Sequence, residues 1–168
     1  IDHDAQAALE RHVARSATIG RTIWRADDDP AFARGSFVLP TIIEIEGIGH
    51  LQRENFGPVL HIAKFKNKDL EKVVDDINAL GYGLTCGLHS RVEATRRLVE
   101  SKIKVGNFYV NRNQIGAVVE SQPFGGEGLS GTGPKAGGPH YVSRFATERV
   151  VTVDTTAAGG NATLLASL

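Results

Sequence analysis

Apolar residues in AQAALERHVARSATI return at the spacing of one helical face. That pattern predicts a helix from about Ala5 to Arg15, with Asp4 as its N-cap. RTIWRA reads as a short strand, followed by a polar turn from Asp27 to Pro30. GSFVLPTIIEIEG is strand-like at both ends, with Pro40 marking a break or an edge because proline has no N–H to give a ladder. Beyond Gly57-Pro58, a β-rich run predicts a strand from Val59 to Phe65.

Leu70, Val73, Val74, Ile77 and Leu80 form the stripe of an amphipathic helix, which GYG then stops. LTCGLHS predicts a short buried strand, VEATRRLVESK a second amphipathic helix, and VGNFYVN a third strand. Strands alternating with helices at this spacing call for crossover connections and a mostly parallel sheet with flanking helices. The expected class is α/β. After Asn113 the chain turns glycine-rich, and RFATERVVTVDTT alternates as one exposed strand, an edge reaching for a partner. Two units are expected: residues 1–145 as a catalytic-domain portion, and 146–168 as an oligomerisation strand with a small-residue tail.

Composition narrows the class of function. With 168 residues, 41% of them apolar, there is enough chain for one domain with a core. Nineteen basic and nineteen acidic residues cancel, so nothing draws nucleic acid or an anionic membrane. No apolar run approaches the roughly 18 residues of a membrane span. Cys86 is the sole cysteine, so no disulfide framework exists within the chain and a cytoplasmic setting is expected. The chain has no methionine and opens on Ile1, which reads as a piece of a longer polypeptide.

Several motifs invite chemistry. GTGPKA fits G-x-G-x-x-A, but no strand leads into it and GGP follows where a helix should run, so it is not a dinucleotide fingerprint. Lys135 lacks the glycine before it and the Ser or Thr after it that a P-loop needs. Cys86 and His89, three apart in a strand, point to opposite faces and form no local dyad. The six histidines lack metal-ligand spacing, and no metal is expected. Glu54, held ahead of Gly57-Pro58, can accept hydrogen bonds from vicinal hydroxyls such as those of a ribose, and Phe56 can offer a flat face to a ring. A solvated glutamate and a core phenylalanine explain the same residues. Asn111, Arg112 and Asn113 precede Gly116-Ala117, whose N–H groups can form a nest for a carboxylate, and Phe124 follows as an aromatic wall.

RENFGPVL, GYGLTCGLHSR and VGNFYVNRNQIGAVVESQPFGGEGLSGTGPKAGGPHYVSRF, in this order, resemble the aldehyde dehydrogenase superfamily. YVNRNQIGAVV, SGTGPKAGGPHY and VDTTAAGGNATLL are similar, more narrowly, to the bacterial proline utilization A family, whose dehydrogenase module oxidises L-glutamate γ-semialdehyde to L-glutamate with NAD+. The resemblance implies that Glu54 holds the nicotinamide-side ribose and that Phe56 packs near the nicotinamide. It implies that Gly116 and Ala117 bind the substrate α-carboxylate and that Phe124 flanks the methylene chain. Cys86 is not at the family's nucleophile position, which lies upstream of the matching stretch together with the cofactor domain, so the chain alone is expected to be inactive. The expected partners are the rest of the parent chain, which carries FAD in a separate proline dehydrogenase domain, and a second copy through the C-terminal strand. The parent is expected in the cytoplasm, peripheral to the bacterial inner membrane. A purely structural, oligomerising role is the competing expectation.

Overall fold

The computed structural model describes residues 1–116, 121–131, 134–154, 163 and 166. Helix α1 spans His3–Ile19. It begins earlier than the apolar stripe requires, because the Asp2 carboxylate, not that of Asp4, accepts the Ala5 N–H at 2.7 Å. Its buried face is Leu9, His12, Val13 and Ser16, the i, i+3, i+4, i+7 set that the pattern predicts. This face packs on β1 (Arg21–Arg25) and β2 (Thr41–Glu44).

β1 is antiparallel to β2 and bulged between Thr22 and Trp24, whereas β2 runs parallel to β3 (Val59–Ile62). Val13, Ile43 and Ile45 close the core here, with Leu51 and Val59 against them. Burying each such side chain is worth about 1.5–3 kcal/mol. Two expectations change. The segment before Pro40 is not a strand: Asp29 caps a short 3₁₀ helix over Pro30–Arg34, and regular pairing begins only at Thr41. β3 ends at Ile62 rather than at Phe65, because its last ladder partner is Glu44.

α2 (Leu70–Ala79) and α3 (Glu93–Lys102) follow the predicted stripes and bury Val74 and Val99. Gly81, at φ 77, ends the first of them in the left-handed conformation that glycine adopts without steric cost. Asn78 joins the two helices' exits, donating to the Lys102 carbonyl at 2.9 Å and accepting from the Lys104 N–H at 2.8 Å. Beyond the two-residue strand β4 (Tyr82–Gly83), β5 (Thr85–Leu88) pairs parallel with β6 (Asn107–Val110) across α3, the expected strand-helix-strand unit. β4 itself pairs antiparallel with β7 (Glu127–Gly128).

The parallel pairings are thus real but divided, since β3 and β5 lie in separate small sheets. β5 is also half-buried rather than fully buried. Residues 146–154 are exposed and form no strand, so the expected edge strand is not formed within the described residues.

Candidate active site

The E-N-F-G-P turn is built against α1. A β-carbon at Gly57 would lie 2.4 Å from Leu9 Cδ1, so the turn sits flush on the helix and any larger residue would have to displace the Leu9 side chain. Asn55 Nδ2 donates to the Arg53 carbonyl at 2.9 Å, and the Val59 N–H donates to the Gly57 carbonyl at 2.8 Å. The Glu54 N–H donates to the Tyr82 hydroxyl at 3.3 Å, tying the turn to β4. So held, Glu54 is exposed and Phe56 is 89% exposed. Phe56 is therefore not a core residue, and its ring face is free to meet a planar ligand.

The second feature joins Gly116 to Phe124. A β-carbon at Gly116 would meet Phe124 Cζ at 3.3 Å, with two further ring atoms at 3.5 and 3.6 Å. An exposed glycine backbone thus lies directly against a half-buried aromatic ring. Ala117, the other expected anchor residue, lies outside the described residues. Phe124 is fixed by a bridge to Ala136, its N–H donating at 3.0 Å and its carbonyl accepting at 2.9 Å. Behind it the glycines turn the chain tightly: the Ser130 N–H donates to the Glu127 carbonyl at 3.0 Å, and the Ser130 hydroxyl accepts from the Gly83 N–H at 3.0 Å. Among the described residues no hydrogen bond links Glu54 or Phe56 to this pair, so the two features are held separately.

Two residues have a part here that the sequence reading did not give them. Asn107 Nδ2 donates to the Pro123 carbonyl at 3.0 Å, and its Oδ1 accepts from the Gly125 N–H at 3.2 Å. Lys135 Nζ donates to the Gly106 and Gly125 carbonyls. The available signal was an asparagine inside an otherwise apolar strand, a residue depleted from strands unless its amide has a task.

Other polar residues prove structural. Asn111, at φ 55, uses its amide on the Ser90 backbone, accepting at 2.9 Å and donating at 3.0 Å. The Arg112 guanidinium stacks 4.4 Å from the centre of the buried Tyr109 ring, a cation–π contact. Cys86 is half-buried, and burial pushes its thiol above the usual range, the opposite of what an attacking thiolate needs. A cavity of about 550 Å³ lies elsewhere, between α2 and the ends of β2 and β3, with Ile45, His61, Phe65 and Val73 among its walls.

The profile of the aldehyde dehydrogenase family matches residues 1–151. The chain belongs to that family. It is 53% identical over 147 residues to the bifunctional protein PutA of Rhizobium meliloti, covering 88% of this chain and 12% of that protein. It is 35% identical over 144 residues to 1-pyrroline-5-carboxylate dehydrogenase of Geobacillus kaustophilus, covering 84% of this chain and 27% of that protein. A crystal structure of a Bradyrhizobium japonicum proline utilization A mutant superposes with a TM-score of 0.83 at 49% identity, over 94% of this chain and 16% of that one. The fold is thus the α/β aldehyde dehydrogenase domain in part, and the chain spans only a small share of the relatives' length.

Proposed function

We propose that the chain supplies one side of the active site of an NAD+-dependent L-glutamate γ-semialdehyde dehydrogenase of proline catabolism. The observation that carries this reading is the contact of the Gly116 backbone with the Phe124 ring. In it, main-chain N–H groups at Gly116 and Ala117 take the substrate α-carboxylate, while the Phe124 ring packs along the methylene chain. A substrate with a charged head and a short apolar stem matches such a half-socket. The fixed geometry lowers the barrier by orienting the aldehyde for attack.

The residues fit the cofactor as well. Glu54 is an exposed carboxylate on a turn pinned at Leu9 and Tyr82, suited to accept from ribose hydroxyls. Phe56 presents a free face to the nicotinamide ring. NAD+ supplies the hydride acceptor when bound. Cys86, protonated and half-buried, is not the nucleophile, so the attacking thiol belongs to the rest of the parent polypeptide. That polypeptide is proposed to be cytoplasmic and to use FAD in a separate proline dehydrogenase domain.

In the full-length protein carrying this chain, Phe124→Ala should raise KM for the semialdehyde by about tenfold or more, since it strips an apolar wall from the substrate stem. The KM for NAD+ should stay unchanged. Steady-state kinetics with each substrate varied in turn check this, and an unaltered semialdehyde KM would remove Phe124 from the pocket.

One observation favours a second role beside the first. Val150, Val151 and Val153 are 86%, 70% and 74% exposed on a segment with no strand partner among the described residues. A second copy of the chain, pairing with this segment, is the proposed cover.

A further inference from the structure

Phe124 sits between two peptide groups whose four polar atoms are all engaged. Ala136 takes the N–H and carbonyl of Phe124 itself. The Asn107 amide takes the other two, the Pro123 carbonyl at 3.0 Å and the Gly125 N–H at 3.2 Å. One side chain therefore grips the backbone immediately before and immediately after the ring. We infer that Asn107 is a specificity-determining positioning residue, which sets the width of the substrate pocket by holding the Phe124 ring against Gly116. The inference rests on the reading of Phe124 as a substrate-flanking aromatic.

The chemistry of the grip restricts what can replace it. A carboxamide offers a donor and an acceptor a short distance apart, and this site uses one of each. Aspartate would present only acceptors, leaving the Pro123 carbonyl facing negative charge. Alanine would lose the Asn107 bonds to the Pro123 carbonyl and the Gly125 N–H, leaving the Ala136 bridge as the remaining hold on these two peptide groups. The neighbourhood keeps that loop close to β6. A β-carbon at Gly106 would lie 1.8 Å from the Gly125 carbonyl oxygen, so the two backbones touch at the strand entrance. Lys135 bonds to the same two carbonyls, those of Gly106 and Gly125. Asn107 is thus the side chain that converts the rigidity of β6 into the position of the ring.

The test is a double-variant comparison in the full-length protein, with L-glutamate γ-semialdehyde and propanal as alternative substrates. Asn107→Asp should lower kcat/KM for the semialdehyde by about 10- to 100-fold, mainly through KM, as expected when a positioned wall moves by about an ångström. Propanal, with no carboxylate head to register against the wall, should lose much less, so discrimination between the two should collapse. The combined Phe124→Ala, Asn107→Asp protein should be no worse in semialdehyde KM than Phe124→Ala alone, because residues acting through one group do not add. Equal losses for both substrates, or additive losses in the combined protein, would overturn the inference. An unaffected Phe124→Ala protein would overturn the underlying reading instead. Should Asn107→Asp not fold, Asn107→Ser, which keeps a shorter donor and acceptor, carries the same comparison with the same outcomes.

Discussion

At the residue scale, the site depends on places where a single carbon has no room. Gly106 is the sharpest, since the Gly125 carbonyl occupies the space a side chain would need. That obstacle is backbone held by Asn107 and Lys135, so it cannot swing aside as a side-chain tip would. Gly106→Ala should therefore destabilise the fold by about 1–3 kcal/mol, the usual range for overpacking. It should also raise the semialdehyde KM, because the displaced segment carries Phe124. Urea denaturation and substrate titration read the two effects, and a stable variant with native KM would mean the close approach is slack. The sequence shows that glycine is dense here, but it does not show which glycine faces backbone. Likewise Asn111 and Asn107 look equivalent in GNFYVNRN. Only their partners separate the turn-former, bonded to Ser90, from the residue that grips both sides of Phe124.

At the element scale, α1 and β3 meet through His12 and His61, whose Nε2 atoms are 2.9 Å apart. One ring must donate and the other accept, so the pair exists only while both are neutral or share a single proton. Burial lowers His12 below its ordinary 6.5, helped by His61, Arg15 and Arg53, and burial lowers His61 as well. A lowered histidine means that the unfolded chain binds more protons than the folded one. The stabilisation is therefore complete above the ordinary value of 6.5 and declines as pH falls below it. Denaturation midpoints measured from pH 8 to pH 5 should drop across that window. His61→Gln should flatten the drop, and an equally steep fall in that variant would place the pH dependence elsewhere. Helices were the most legible elements, since α2 and α3 need only a local stripe. Strand ends were less so. Ser36 to Leu39 and Ala63 to Phe65 look like strand, yet they extend beyond the β1–β2 and β2–β3 ladders.

At the scale of the whole molecule, seven apolar side chains are buried while twenty large ones are exposed among the described residues. Phe56, Leu60, Phe65 and the valines at 150, 151 and 153 are among the latter. In the proposed reading the remainder of the parent polypeptide covers the first part of this surface, and a second copy covers the last. The two coverings can be separated. Deleting residues 146–168 from the full-length protein should lower its sedimentation coefficient to that of a smaller assembly at the same concentration. The coefficient of an intact oligomer would show that the C-terminal segment does not bridge copies. The expected mostly parallel pairing is present but spread over three small sheets: β2–β3 and β5–β6 are parallel, β1 and β7 pair antiparallel with their neighbours, and no described strand joins β3 to β5.

The amino-acid sequence by itself determined the helices and the α/β class, and it marked the two loops proposed here to meet a cofactor and a substrate. Helical periodicity and glycine-proline punctuation are local, and a linear reading captures them. Tertiary structure alone decided that Phe56 is free and that Phe124 rests on Gly116. It also decided that an unremarked asparagine holds that ring in place. Each of these depends on how the strands and turns come to rest against one another, which no local pattern shows.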